Sequence, residues 1–138
     1  MVASVLMAIS AAIIGGLGAM HLVYTFVGPK LRPRDPRLVE AMQQALPGIT
    51  RDTTMWDMWI GFNISHSLCA IQFGLVFGYL ALAQPTLLFG STALQAIAIA
   101  LLAVLLATGL RYWFVIPTAG IALALLLAVA AILAARAT

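Results

Sequence analysis

Two histidines, His21 and His66, are the residues best suited to chemistry in a chain that is otherwise almost entirely apolar. Imidazole can accept or donate a proton near neutral pH, and it also ligates haem iron and zinc. Asn63 precedes His66 by three residues and Tyr24 follows His21 by three, so each can position or polarise a ligand oxygen. His21, His66, Asn63 and Tyr24 are therefore the candidate catalytic residues.

The elements that must position these residues are membrane-spanning helices. Hydrophobic residues make up 64% of the 138 residues and charged residues only 8%, a composition typical of integral membrane proteins. A helix of about 20 apolar residues crosses a hydrocarbon core of about 30 Å. Four such spans are predicted, at about residues 5–27, 55–83, 87–109 and 113–135. We expect an all-α membrane protein whose four transmembrane helices form one bundle and one domain over residues 1–138.

The first loop carries a helix signal of its own. Asp35 can cap a helix whose first position is Pro36, and Pro47 with Gly48 can stop it. Between them apolar residues recur at helical spacing, at Leu38, Ala41, Met42, Ala45 and Leu46. This pattern predicts a short amphipathic helix at about residues 36–46, lying on the membrane surface.

The distribution of basic residues predicts the orientation. Most of them fall on one side of the membrane, namely Lys30, Arg32, Arg34, Arg37, Arg51 and Arg111, whereas Arg136 falls on the other. The positive-inside rule then places the first loop in the cytoplasm and both termini outside. The basic loop favours contact with anionic headgroups of the lipid bilayer, and nothing in the sequence favours binding of nucleic acid.

Helical geometry predicts that the two histidines meet. At the helical rise, His21 lies about 10 Å and His66 about 14 Å below the same membrane face. Thr25 shares a stripe with His21, and Trp59 and Asn63 share one with His66. Because spans joined by one loop are usually neighbours, we expect these stripes to face each other. The pocket between them would enclose His21, Thr25, Asn63, His66 and, at the margin of its stripe, Tyr24.

Four residues are candidates for ligand binding rather than chemistry. Trp59 and Thr25 lie on the facing stripes, and Arg111 and Tyr112 return a positive charge and an aromatic ring to the same membrane face. Arg111 could hold an anionic head group of an amphipathic ligand.

Asp57 has a structural explanation and a weaker chemical one. It follows Thr54 at the spacing of a capping box, which places it in the first turn of the second span. An acid there could instead orient a histidine. Two imidazoles leave a zinc site incomplete unless Asp57 turns inward, so no metal site is predicted.

The second span has polar residues on a second side as well. Asp57, Gly61, Ser65 and Gln72 lie nearly opposite the histidine stripe. Polar groups facing hydrocarbon without partners are costly. We therefore expect this helix to be covered by protein on two sides, either centrally in the bundle or at a homodimer contact.

The stretches running from His21 to Asp35 and from Thr53 to Ser67 resemble segments of a group of small, uncharacterised bacterial four-span membrane proteins. The resemblance covers mainly the first half of the chain. It implies a four-helix protein of the bacterial inner membrane and brings no established activity.

Three functions are compatible with these residues. The first is a His/Asn/Tyr-lined pocket near the cytoplasmic leaflet that binds an apolar or amphipathic, lipid-like small molecule; whether it also acts as an isomerase, cyclase or hydrolase stays open. The second is a structural or accessory subunit, in a homo-oligomer or a larger membrane complex, whose polar residues join helices. In the third, His21 and His66 are the axial ligands of one b-type haem. No cofactor is favoured.

Overall fold

The computed structural model describes residues 1–137 of the protein. Among these residues there are six helices and no strand: α1 (Val2–Phe26), α2 (Pro36–Gln44), α3 (Met55–Ala83), α4 (Pro85–Gly90), α5 (Thr92–Tyr112) and α6 (Val115–Arg136). Four of these helices, α1, α3, α5 and α6, are long and apolar enough to cross a membrane. The predicted class, an all-α membrane protein with four long helices and a short helix in the first loop, is confirmed.

The helix in the region of the predicted third span, about residues 87–109, begins later than the prediction. The residues before Ser91 form the separate helix α4, and α5 begins only at Thr92. Ser91 has an extended backbone, and its hydroxyl accepts a hydrogen bond from the Leu94 amide at 3.3 Å, which caps α5. Hydropathy stays high across both α4 and α5, so a span assigned from hydropathy alone does not show the break at Ser91. The hydrogen bond that caps α5 does show it.

The predicted loop helix is present as α2. The Asp35 carboxylate accepts from the amide of Arg37 at 2.9 Å, and Pro36 occupies the first turn, as its fixed φ allows. The helix ends at Gln44, slightly before the predicted end, because Ala45 turns to an extended backbone. The carbonyl of Ala45 then accepts from the amide of Met55 at 2.9 Å, which fastens the end of α2 to the start of α3.

The predicted cap of α3 is confirmed as well. The amide of Asp57 donates to Thr54 Oγ1 at 3.1 Å, and that hydroxyl donates to Asp57 Oδ2 at 2.7 Å. The Asp57 carboxylate also lies in the first turn, where the partial positive charge of the free backbone amides stabilises it. These contacts account for the presence of an acid at this position.

The described chain packs as two compact units. One unit, Gly18–Cys69, contains the end of α1, the first loop with α2, and the first half of α3. The other contains Met1–Leu17 and the described chain from Ala70 onward, which includes the second half of α3 and α4 to α6.

The second of these units has an alanine-rich core in which helices approach closely. A Cβ atom on Gly74 of α3 would lie 2.7 Å from the Cα of Gly15 on α1, so the two backbones touch at this crossing. On the other side of α1, the buried Ser10 hydroxyl donates to the carbonyl of Ala124 on α6 at 2.7 Å. Helix α1 therefore lies between α3 and α6 within this unit.

Candidate functional site

His21 and Asn63 form the central contact of the candidate site. His21 Nε2 lies 2.7 Å from Asn63 Oδ1, across the helices α1 and α3. Asn63 is buried, with 4% of its surface exposed, and its Nδ2 donates to the carbonyl of Trp59 at 2.7 Å. The hydrogen bond joins two helices in an apolar setting, where a lost partner could not be replaced by water.

The hydrogen-bond network assigns the tautomer of His21. A carbonyl can only accept, so the Asn63 nitrogen must face the carbonyl of Trp59 and its oxygen must face His21. His21 Nε2 therefore carries the proton, and in the neutral ring Nδ1 carries the lone pair. This leaves Nδ1 as a hydrogen-bond acceptor and a base.

His66 lies directly beside His21. The centroids of the two imidazole rings are 5.3 Å apart and the ring planes meet at 72°, an edge-to-face arrangement. On the same helix the ring of Phe62 stacks parallel to His66, with centroids 6.3 Å apart. Phe62 is exposed and His66 is half-buried, so the histidine pair lies at the protein surface within the apolar spans.

Hydrogen bonds along each helix hold the backbone around the pair. The buried Thr25 hydroxyl donates to the carbonyl of His21 at 2.9 Å, and the buried Ser67 hydroxyl donates to the carbonyl of Asn63 at 2.7 Å. Every buried side-chain nitrogen or oxygen among the described residues has a partner. The predicted meeting of His21, Thr25, Asn63 and His66 is thus present in the structure, whereas their roles stay predictions.

The first loop packs against the same end of the helices. Trp59 Nε1 donates to the carbonyl of Leu31 at 3.2 Å, so this predicted ligand-binding residue anchors the loop. Tyr24, predicted to be catalytic, has the ammonium of Lys30 4.0 Å from its ring centroid. The guanidinium of Arg32 lies 6.0 Å from the ring of Trp56. The loop therefore places basic groups next to aromatic rings at the helix ends.

The remaining predicted site residues have other surroundings. Asp57 is exposed and bonded to Thr54, as described above. Arg111 and Tyr112 are exposed in the last turn of α5, in the unit that does not contain the histidines, and the Arg111 guanidinium lies 5.2 Å from the Tyr112 ring. Their predicted part in ligand binding stays a prediction.

The geometry does not suit the haem alternative. Imidazoles on opposite faces of one iron, with bonds of about 2 Å, have ring centres roughly 6 Å apart and direct their nitrogens at one point. Here the edge of one ring meets the face of the other at 5.3 Å, and His21 Nε2 is directed at Asn63. No group of three or more His, Cys, Asp or Glu side chains within residues 1–137 is placed to hold a metal ion.

Two grooves lie between α5 and α6. One, of about 300 Å³, includes Gln95 and Arg136, and the other, of about 380 Å³, includes Trp113 and Thr118. Neither groove is lined by His21, Asn63 or His66. These two grooves do not test the pocket predicted at His21 and His66, which stays a prediction.

Three residues of the site were not predicted from the sequence. Phe62 stacks on His66 from one helical turn away, a relation that the spacing of four residues could have indicated. Ser67 could have been found in the same way, as it lies four residues after Asn63. The contact with the carbonyl of Leu31 has no sequence signal, because any residue supplies a carbonyl.

Comparisons with protein-family models, with curated proteins and with solved structures find no match to this chain.

Proposed function

We propose that the protein binds an apolar or amphipathic small molecule from the bilayer at the surface formed by His21, His66 and Asn63. The observation that carries the proposal is the 2.7 Å contact between His21 Nε2 and Asn63 Oδ1, because it makes Nε2 the donor and leaves Nδ1 of the neutral ring as an acceptor. A ligand with a hydroxyl group can donate to such a nitrogen. The same nitrogen can accept a proton, so acid–base chemistry on that ligand is within reach of the pair.

The surroundings suit a ligand with an apolar body. Phe62, which stacks on His66, is 69% exposed, and Trp59, one turn before Asn63 on the same helix, is 39% exposed, so two aromatic rings of this helix are open to lipid. Basic side chains of the first loop, among them Lys30 and Arg32, lie beyond the same end of α1. A lipid-like molecule could therefore place its hydroxyl at His21, its chain along Phe62, and an anionic head near the loop.

The proposed location is the inner membrane of a bacterium, with the first loop in the cytoplasm and both termini outside. The support is the excess of basic residues in that loop and the resemblance noted above. With Cys69 replaced by serine, single cysteines in the first loop should resist a membrane-impermeant thiol reagent added outside intact cells. Labelling of the loop under these conditions would reverse the proposed orientation.

Native mass spectrometry of the protein released from mild detergent tests the binding proposal. We expect a stoichiometric added mass that is lost in His66→Phe, which keeps an aromatic ring beside Phe62 but removes both nitrogens. Cys69→Ser, a change at an exposed residue of the same helix, should retain the added mass. Bare wild-type protein, or an added mass that the His66→Phe protein retains, would contradict the proposal.

A structural or accessory role is the second candidate, and one observation favours it. All buried polar side-chain atoms of the described residues are already paired within the chain, as expected of residues that join helices. In that case His66→Phe would lower the stability or change the oligomeric state, and no small molecule would be bound to the wild-type protein. The presence or absence of the added mass on the wild-type protein therefore distinguishes the two candidates.

A further inference from the structure

The exposed face of α3 contains a polar side chain that the single chain leaves without a partner. Gln72 is exposed and forms no hydrogen bond with any residue in the described chain. It lies about 16 Å from the nearer end of α3 at the helical rise, deeper than a glutamine side chain can reach to find water. An amide in hydrocarbon without a partner costs on the order of several kcal/mol.

The residues around Gln72 repeat at the spacing of a helix-pairing seam. Steps of three and four residues connect Gly61, Ser65, Leu68, Gln72, Leu75 and Tyr79, and all six are exposed. This is the heptad spacing that keeps one face of a helix against a partner helix along its length. We call these six residues the α3 seam.

Four of the six residues of the α3 seam need no hydrogen-bond partner from another chain. The Ser65 hydroxyl donates to the carbonyl of Phe62 at 3.0 Å, so it is satisfied within the helix. A Cβ atom on Gly61 would meet nothing within 4 Å, so a partner can approach closely there. Leu68 and Leu75 are 51% and 70% exposed and flank Gln72 on both sides. Two side chains of the seam have no hydrogen bond within the described chain, Gln72 and Tyr79. Tyr79 lies only about 6 Å from the end of α3, where a tyrosine hydroxyl reaches the membrane interface, so the unmet demand deep in the span is the Gln72 amide.

We propose that the α3 seam pairs with the α3 seam of a second copy of this chain, with Gln72 at the two-fold axis. Copies inserted in the same orientation have parallel α3 helices, so a two-fold axis along the membrane normal places Gln72 opposite Gln72 at equal depth. An amide carries both a donor and an acceptor, so two of them satisfy each other reciprocally. A different partner would need its own polar group at that depth, whereas a second copy supplies one by symmetry.

This pairing accounts for the second polar line of the helix. The sequence predicts that other protein segments contact this span on two sides. Within one chain, however, Ser65 and Gln72 are exposed. A central polar residue in an otherwise apolar seam also fixes the register of two helices, because any shift separates the amides. The proposal does not depend on ligand binding at His21 and His66.

Disulfide cross-linking in native membranes tests the proposal. In a Cys69→Ser background, Leu75→Cys on the α3 seam should form a dimer of twice the chain mass on mild oxidation. Leu126→Cys, at an exposed position in the middle of α6 (68% exposed), should not. Equal cross-linking of both variants, or a Leu75→Cys product containing a different protein, would overturn the proposal.

A second variant tests the role of Gln72 itself. Gln72→Leu keeps the apolar seam and removes the amide, so the dimer association constant in detergent should fall about 3- to 30-fold, the range expected for loss of interhelical polar contacts in membranes. Helix α3 should fold normally in this variant, because the side chain is exposed in the single chain. An unchanged association constant, or a wild-type protein that is monomeric in membranes, would refute pairing through Gln72.

Discussion

Replacing Gly74 by alanine should destabilise the protein, because this glycine lies where the backbones of α1 and α3 touch. The added Cβ atom would lie 2.7 Å from Gly15 Cα, 2.9 Å from the carbonyl oxygen of Ala11 and 3.1 Å from the amide nitrogen of Gly15. All three neighbours are backbone atoms, so no side chain can move aside. To restore ordinary contact the helices must separate by about 0.7 Å.

The size of the effect follows from this separation. A gap of this order forfeits about a quarter to a half of the dispersion energy of each contact along the crossing, and overpacking of a tight core costs about 1–3 kcal/mol. Alanine in a helix interior regains about 0.5–1 kcal/mol relative to glycine. We therefore expect the free energy of unfolding of Gly74→Ala to fall by about 1–2 kcal/mol.

Gly78→Ala is the matched control, one turn further along the same helix. Its added Cβ atom would meet the side chain of Ala11 at 3.8 Å, an ordinary contact. The gain in helix propensity is common to both variants and cancels in the comparison, so the difference between them reports the clash alone. A Cβ atom on Gly15 would lie 3.3 Å from Gly74 Cα. The stability of Gly15→Ala should therefore lie between those of the other two variants.

The assay is equilibrium unfolding in mixed micelles, followed by fluorescence of the native tryptophans as the fraction of denaturing detergent rises. The free energy of unfolding should decrease in the order Gly78→Ala, Gly15→Ala, Gly74→Ala. A Gly74→Ala protein as stable as Gly78→Ala would show that the crossing is looser than the structure indicates and would refute the reasoning.

Two further losses of stability can be measured by the same titration. Thr54→Ala removes the cap of α3 and should cost about 1 kcal/mol, whereas Thr53→Ala should be nearly neutral; equal effects would contradict the cap. Gln95→Leu removes the donor to the carbonyls of Phe89, at 2.8 Å, and Leu88, at 3.4 Å, and should cost about 1–3 kcal/mol. Gln84→Leu is its control, and an equal loss there would argue against this role of Gln95.

Local signals in the sequence predicted local structure well. Asp35 followed by proline predicted the start of α2, and the spacing of Thr54 and Asp57 predicted the cap of α3. Both signals act within a few residues, through a side chain and a nearby amide, so neighbouring sequence contains what is needed. The same reasoning would have found the break before α5, because Ser91 caps that helix in the same way.

Contacts between helices were predicted less completely. The prediction that His21, Asn63 and His66 lie together is confirmed, because helical periodicity fixes which residues share a face. A shared face does not set how closely two helices approach, so the predicted pocket stays a prediction. Tyr24, expected at the margin of the same stripe, has the ammonium of Lys30 4.0 Å from its ring centroid, a contact with the loop that helical periodicity does not predict.

The sequence by itself determined that this is a helical membrane protein with four long spans and a basic first loop, because hydropathy, caps and charge are properties of the chain read in order. Only the tertiary structure decided that Asn63 orients His21, that Gly15 and Gly74 bring two backbones into contact, and that Gln72 stays open on α3. These features depend on the rotation and spacing of helices that are distant in sequence, and these quantities are set by packing, which no local pattern encodes.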